Sequence, residues 1–132
     1  MKGYVILGVI ATLLLLGCDS SSTRSSSTDA STSAPVSEVS EGVTFKVDPE
    51  TLRECDPPAV VTLTWDASAA GASAVKIFVV GEDGNQNLFA FLGAQGTEKT
   101  GAWAKAKEVF ILKDENEKQQ LAKFVVGSEK CK

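Results

Sequence analysis

The chain has 132 residues, with 13 Lys or Arg against 17 Asp or Glu and a formal net charge of −4. It contains no histidine, which excludes histidine-based catalytic triads and imidazole metal ligands. Positive and negative residues are interspersed without a basic patch, so nucleic-acid binding is not expected.

The N-terminal residues have the organisation of a secretory signal. A positively charged start precedes an apolar run over residues 3–16, which is shorter than the roughly twenty residues of a membrane-spanning helix. The run ends in the string LLGC, which resembles the bacterial lipobox. The resemblance implies that residues 1–17 are a signal peptide that is removed, and that Cys18 carries acyl chains such as palmitate. These chains would anchor the protein to the membrane.

Two other interpretations of this segment remain open. The run could be a transmembrane anchor, or a plain secretory signal in which Cys18 is incidental. Leu16 is bulkier than the residue usual at its place in a lipobox. No Ala-x-Ala-like cleavage site is present, which favours the lipoprotein interpretation.

Asp19 bears on which membrane the protein occupies. In enteric bacteria, an aspartate directly after the lipidated cysteine resembles the signal that retains a lipoprotein in the inner membrane. We therefore expect a cell-envelope protein, with the periplasmic leaflet of the inner membrane favoured over the outer membrane. The alternative is that Asp19 is only the first polar residue of a linker.

Residues 18–40 are dominated by serine and threonine, and Val36 and Val39 are the sizeable apolar side chains among them. Such a segment buries too little surface to offset its chain entropy, so it is predicted to be a disordered spacer. The folded domain is predicted to be residues 41–132.

Beyond residue 40 the sequence predicts one small all-β domain. Short runs rich in β-branched and aromatic residues alternate with turn signals, at a spacing typical of a sandwich. Asp83-Gly84 is a strong hairpin signal because glycine adopts a positive φ without steric cost. Six strands are predicted, at Val43–Asp48, Val60–Trp65, Ala74–Gly81, Asn87–Leu92, Glu108–Lys113 and Gln120–Val126.

The second predicted strand places Val61, Leu63 and Trp65 on one face and threonines on the other. Its string LTWDAS resembles the second strand of fibronectin type III and related Ig-like domains, in which a tryptophan anchors the core. The strings AVKIFVVG, TGAW, EVFILKD and QQLAKFVV extend the resemblance over most of residues 43–126. It implies a single Ig-like antiparallel β-sandwich of about seven strands.

Two cysteines remain if Cys18 is acylated. Cys55 falls between the first and second predicted strands, and Cys131 follows the last one. In a seven-strand sandwich the first and last strands end at the same pole, and an exported compartment is oxidising, so a Cys55–Cys131 disulfide is predicted. Free thiols or a metal pair are the alternative. The sequence has no histidine and no CxxC spacing to complete a zinc site.

A second apolar face is predicted on the sheet that would carry the third strand. Phe78 and Val80 lie opposite the core side of that strand. On the next strand, Phe89 and Phe91 are predicted to lie opposite Leu88. A contiguous exposed apolar patch often marks an interaction site.

The position of residues 93–107 determines whether this face is exposed to solvent. If the segment folds over the face, Trp103 is part of its cover; otherwise Trp103 is an exposed anchor. Exposure beside Phe78 or Phe89 would favour binding, whereas burial would exclude stacking on a sugar. The candidate binding surface comprises Phe78, Val80, Phe89, Phe91 and Trp103.

No catalytic motif, phosphate loop or dinucleotide fingerprint occurs in the chain. Glu82 and Asp83 could form a carboxylate pair, but a solvated turn explains them better. We therefore expect no catalysis, no cofactor and no metal. The expected function is that of an envelope lipoprotein presenting an Ig-like module to a protein partner. The alternatives are a structural or pilotin-like assembly subunit that uses a strand edge, and a carbohydrate-binding module.

The lipobox makes a direct prediction. Cys18→Ser removes the thiol that would be acylated, so the variant is expected to lose its membrane anchor. Membrane fractionation and intact mass measure this: the wild-type protein should carry acyl mass and sediment with membranes. Retention of the variant in the membrane fraction without acyl mass would contradict the anchor.

Overall fold

Residues 32–131 are described by a computed structural model, and they form eleven β-strands and one 3-10 turn. The predicted signal peptide, Cys18 and Asp19 lie outside these residues. The strands are β1 (Thr32–Ser33), β2 (Val36–Val39), β3 (Thr44–Asp48), β4 (Thr51–Arg53), β5 (Thr62–Asp66), β6 (Ala74–Val80), β7 (Gln86–Gly93), β8 (Gln95–Lys99), β9 (Val109–Asp114), β10 (Gln120–Val125) and β11 (Gly127–Glu129). The 3-10 turn covers Ser68–Ala70.

The strands form two main sheets. One has the order β3-β5-β8 and the other has the order β2-β10-β9-β6-β7, and every pairing within both is antiparallel. A third, smaller sheet has the order β1-β11-β4. The predicted all-β antiparallel sandwich is therefore confirmed.

Alternation of apolar and polar residues explains why these segments become strands. In β3, Phe45 and Val47 are buried while their neighbours are exposed, and in β5 Leu63 and Trp65 are buried in the same way. Phe45 pairs with Trp65, and Val47 with Leu63, so the buried residues of the two strands share one face.

The two main sheets bury their inner faces against each other, as in other sandwiches. The Trp65 indole lies in this core and donates a hydrogen bond from Nε1 to the Gly93 carbonyl oxygen (2.9 Å). A side chain at Gly96 would place its Cβ 3.0 Å from the Trp65 ring, so glycine avoids a tight contact there. The core contains Val43, Phe45, Val47, Val61, Leu63, Trp65, Ala67, Val75, Ile77, Ala104, Phe110, Leu112, Leu121, Ala122, Phe124 and Val126.

All six predicted strands are present, with ends displaced by at most two residues. The hairpin turn at Asp83-Gly84 joins β6 to β7, and Gly84 has a φ of +79°. β8 is not among the six predicted strands. Its residues QGTEK lack large apolar side chains, so backbone pairing with β5 makes it a strand.

The boundary predicted at residue 41 is too late. β2 lies within the tract that was predicted to be disordered, yet it pairs with β10, and β1 pairs with β11. All side chains of both short strands are exposed. Main-chain hydrogen bonds to a sheet edge therefore order this segment, and composition does not reveal such bonds.

The Cys55–Cys131 disulfide is present, with a Cα–Cα distance of 5.9 Å. β4 and β11 pair in parallel, so both strands end at the same pole. Cys55 follows β4 and Cys131 follows β11, which brings the two cysteines together. The bridge joins the last described residue of the chain to the third sheet.

The disulfide is expected to contribute strongly to stability. It links residues separated by 76 positions, and loop-closure entropy for such a loop corresponds to about 4–5 kcal/mol. We expect Cys55→Ser/Cys131→Ser to lower the free energy of unfolding toward that amount, measured by urea denaturation. Wild-type protein in reductant is the matched control and should unfold like the variant. An unchanged urea midpoint would contradict the prediction.

Candidate functional site: the outer face of the five-stranded sheet

A β-bulge in β7 determines which of its side chains point away from the core. Ala90 pairs with Ile77, but Leu88 pairs with the next residue of β6, Phe78. Phe89 is therefore an extra residue in β7 without its own partner. The side chains of Phe89 and Ala90 both lie toward the core. The alternation of core-facing and outward-facing side chains therefore shifts by one residue between the first and second halves of β7.

The bulge corrects two predictions. Phe89 was predicted on the second apolar face and Leu88 on the core side. In the structure Phe89 packs against the core, while Leu88 is 55% exposed on the opposite face. Strict alternation over the whole strand assigned Leu88 and Phe89 to the wrong faces of the sheet. Phe91, which follows the bulge, lies on the outer face as predicted.

We call the side of the five-stranded sheet that points away from the core the outer face. Direct cross-strand pairs define it: Phe78 lies opposite Ile111 and Leu88, and Val109 lies opposite Val80 and Val125. Residues opposite each other in a ladder share a face. The apolar residues of the outer face are Val36, Phe78, Val80, Leu88, Phe91, Val109, Ile111 and Val125.

Phe78 and Ile111 are nearly buried although they lie outside the core cluster. Their exposed fractions are 7% and 4%. Neighbouring side chains of the same sheet contribute to this cover: the Lys113 ammonium lies 4.9 Å from the centre of the Phe78 ring. Phe91 remains 58% exposed, although Lys76 lies 5.6 Å from its ring centre. The outer face therefore has a packed centre and an open apolar side along β7.

Charged residues on this face are mainly cationic. Lys76, Lys113 and Lys123 all point outward, while Glu38 on β2 lies opposite Lys123. Lys76 forms a salt bridge with Glu117 at 2.6 Å. The strands of the face thus carry three lysines and one glutamate, in a chain with a net charge of −4.

Trp103 lies on the core side, away from the outer face. Its ring contacts Phe89 edge-to-face at 5.7 Å between centroids, and it approaches Phe110 at 6.3 Å. A Cβ at Gly101 would come within 2.8 Å of the indole, so glycine allows this close approach. The exposed fraction of Trp103 is 37%.

Residues 93–107 do not cover the outer face. Part of this segment forms β8 in the other main sheet, and Ala104 forms a bridge with Ala59. Of the predicted surface residues, the structure brings Phe78, Val80 and Phe91 together on the outer face. Phe89 and Trp103 form a separate pair at the side of the sandwich. The outer face is completed by Val36, Leu88, Val109, Ile111 and Val125.

A cleft of about 450 Å³ lies beside the disulfide pole, with Leu52, Pro57 and Ala104 in its lining. At its rim, Lys107 forms a salt bridge with Glu54 at 2.6 Å. The buried Ser128 hydroxyl donates to the same carboxylate oxygen at 2.6 Å.

The Glu54 carboxylate is stabilised in its ionised form. The hydrogen bond from Lys107, and then that from Ser128, lowers the pKa of Glu54. Among the described residues, burial raises the pKa of Glu108, which precedes β9. Glu54 is therefore an ionised acceptor that holds its neighbours in place, and the arrangement does not prepare a proton donor.

Within residues 32–131, no three His, Cys, Asp or Glu side chains are grouped as metal ligands would be. No helix in the same span is long and apolar enough to cross a membrane. Comparisons with protein families, curated proteins and solved structures find no match to this chain.

The environments of the two tryptophans predict different fluorescence. Trp65 is buried, whereas Trp103 is partly exposed, so acrylamide should quench mainly Trp103. In Trp103→Phe, the remaining emission should be blue-shifted and several-fold less quenchable than in the wild type. The matched Trp65→Phe variant should retain the quenchable component. Equal quenching of both variants would contradict the placement of Trp103.

Proposed function

We propose that this protein is a lipid-anchored lipoprotein of the bacterial cell envelope whose Ig-like sandwich presents a non-catalytic binding surface to a protein partner. The anchor is inferred from the resemblance of LLGC to a lipobox, with Cys18 as the acylated residue. The binding surface is the outer face, and its open apolar side is the single observation that carries the proposal.

The composition of the outer face supports an interaction role. Leu88 and Phe91 are each more than half exposed at one side of a continuous apolar row. Contiguous apolar patches on otherwise charged surfaces mark protein-binding sites more often than isolated exposed residues do. Aromatic anchors with partly buried neighbours are also the usual source of binding energy at interfaces.

Charge indicates the chemistry of the partner. The outward lysines lie beside the apolar residues of this face, with Lys113 opposite Lys76 and Lys123 opposite Ile111. A partner surface with apolar side chains flanked by carboxylates would complement them. Such complementarity would also orient the partner, because the residues outside this face carry more Asp and Glu than Lys and Arg.

A structural or pilotin-like assembly subunit is the alternative with a specific observation in its favour. β7 lies at an edge of the five-stranded sheet and carries no charged residue over its eight positions. A strand from a partner could pair with such an edge. A carbohydrate-binding module has less support, since Phe89 and Phe110 already contact the Trp103 ring.

The proposal predicts loss of partner capture when the face is altered. The tagged full-length protein is extracted from envelopes in mild detergent, and co-purified proteins are quantified by mass spectrometry. Phe91→Ser is expected to reduce capture of the specific partner at least about tenfold, because a buried aromatic side chain contributes roughly 1.5–3 kcal/mol. Val60→Ser is the matched control, since Val60 is 47% exposed and outside the outer face.

A charge-reversal pair tests the chemistry of the partner. Lys113→Glu/Lys123→Glu should also abolish capture, because it places carboxylates opposite those of the partner. Lys46→Glu/Lys99→Glu makes the same change in net charge on exposed positions of the other main sheet and should leave capture intact. Equal loss with both pairs, or loss with neither, would refute the proposed surface.

A further inference from the structure

We propose that two copies of this chain pair in antiparallel fashion through the edge strand β7, with Leu88 of each copy opposite Phe91 of the other. The two five-stranded sheets then form one continuous sheet across a two-fold axis. The pairing uses the strand edge together with Leu88 and Phe91, which border the outer face, and it leaves the rest of that face open. It rests on the edge chemistry of β7 and not on the function proposed above.

The edge of β7 is available for such pairing. β7 pairs on one side with β6 and has no strand on its other side. Within the described residues, the backbone groups of residues 86–93 make no backbone hydrogen bonds beyond the sheet ladder. The Gly93 carbonyl oxygen is occupied by Trp65. The remaining free edge of β7 therefore presents hydrogen-bonding groups that a further strand can satisfy.

Charge also favours self-pairing at this edge. Sheet edges are usually protected by charged residues or proline. Six of the described strands lie at sheet edges: β2, β3, β4 and β8 each contain a charged residue, and the two-residue β1 contains none. The eight residues QNLFAFLG of β7 contain neither a charge nor a proline. A second β7 can therefore approach without like-charge repulsion along the seam.

The bulge makes β7 self-complementary. Gln86, Leu88 and Phe91 lie on the outer side of the sheet, and Asn87, Ala90 and Leu92 lie on the core side, opposite their partners in β6. Phe89 also packs toward the core. Gly93 lies on the outer side, opposite Ala74. From residue 86 to residue 93 the order is outer, core, outer, core, core, outer, core, outer, which reads the same in both directions.

This symmetry specifies the register. In an antiparallel pair, residues opposite each other must share a face. A two-fold axis between Phe89 and Ala90 satisfies this condition along the entire strand, and it places Leu88 opposite Phe91 of the other copy. A regular strand could not adopt this register, because residues 88 and 91 would lie on opposite faces. The single extra residue removes that conflict.

The paired state also joins the two open apolar sides. Leu88 and Phe91 of each copy, each more than half exposed, would meet their counterparts on the common outer side of the seam. The other copy's Ala90 would lie opposite Phe89 on the core side, where Ala90 leaves room for the Phe89–Trp103 pair. The chemistry of this edge therefore favours the β7 strand of a second copy as its partner.

Disulfide trapping in the full-length protein tests this register. Residues opposite each other in an antiparallel pair have Cα atoms about 4.5–5.5 Å apart, which is within disulfide range. Leu88→Cys/Phe91→Cys should form a disulfide-linked dimer after mild oxidation in detergent, seen on a non-reducing gel. The yield should exceed that of either single variant at least about tenfold, because two copies of the same position lie about 10 Å apart along the seam.

The controls separate the outcomes. Oxidised wild-type protein reports any dimer formed through Cys18, and retention of the Cys55–Cys131 bridge on peptide mapping reports a folded variant. Double-variant protein that is folded but remains monomeric overturns the pairing. Single variants that dimerise as well as the double variant overturn the register. Lys113→Glu/Lys123→Glu leaves β7 unchanged and should still permit trapping in the double-cysteine background, so failure of partner capture and failure of dimerisation are distinguishable.

Discussion

Two sheets bury their inner faces against each other around Leu63, Ile77 and Phe110, each of which is completely inaccessible to solvent. Burial of these side chains is the dominant favourable contribution to folding, and it fixes which face of every strand points inward. The remaining features of the molecule depend on that choice. Once the inner faces are buried, apolar side chains at the alternate positions of β6, β7 and β9 must face outward.

One pole of the sandwich is stabilised by a disulfide and an ion pair. At this pole the parallel pair β4–β11 leads into the Cys55–Cys131 disulfide, and Glu54 links Lys107 to the buried Ser128. The lowered pKa of Glu54 means that its contribution to stability is present above its ordinary pKa, and is lost as the pH falls through the lowered value.

In the proposed lipid-anchored protein, the outer face would bind a partner and the β7 edge would bind a second copy, with Leu88 and Phe91 at the border between the two surfaces. The face combines an apolar row with lysines, which suits a partner bearing carboxylates. The edge is uncharged and symmetric, which suits a second copy. Pairing at the edge would place two outer faces side by side on one sheet. A partner with two binding segments would then bind more tightly, because binding of its first segment raises the effective concentration of the second at the neighbouring face.

The sequence alone predicted six of the eleven strands and the sandwich class, because alternation and turn residues are local signals. It predicted the disulfide from the positions of Cys55 and Cys131 relative to those strands. Tertiary structure decided what those signals omit. Backbone pairing ordered Val36–Val39 and made a strand of Gln95–Lys99, although neither segment has a buried apolar face. The extra residue in β7 exchanged the sides of Leu88 and Phe89, because a bulge is set by the register with the neighbouring strand and not by residue type.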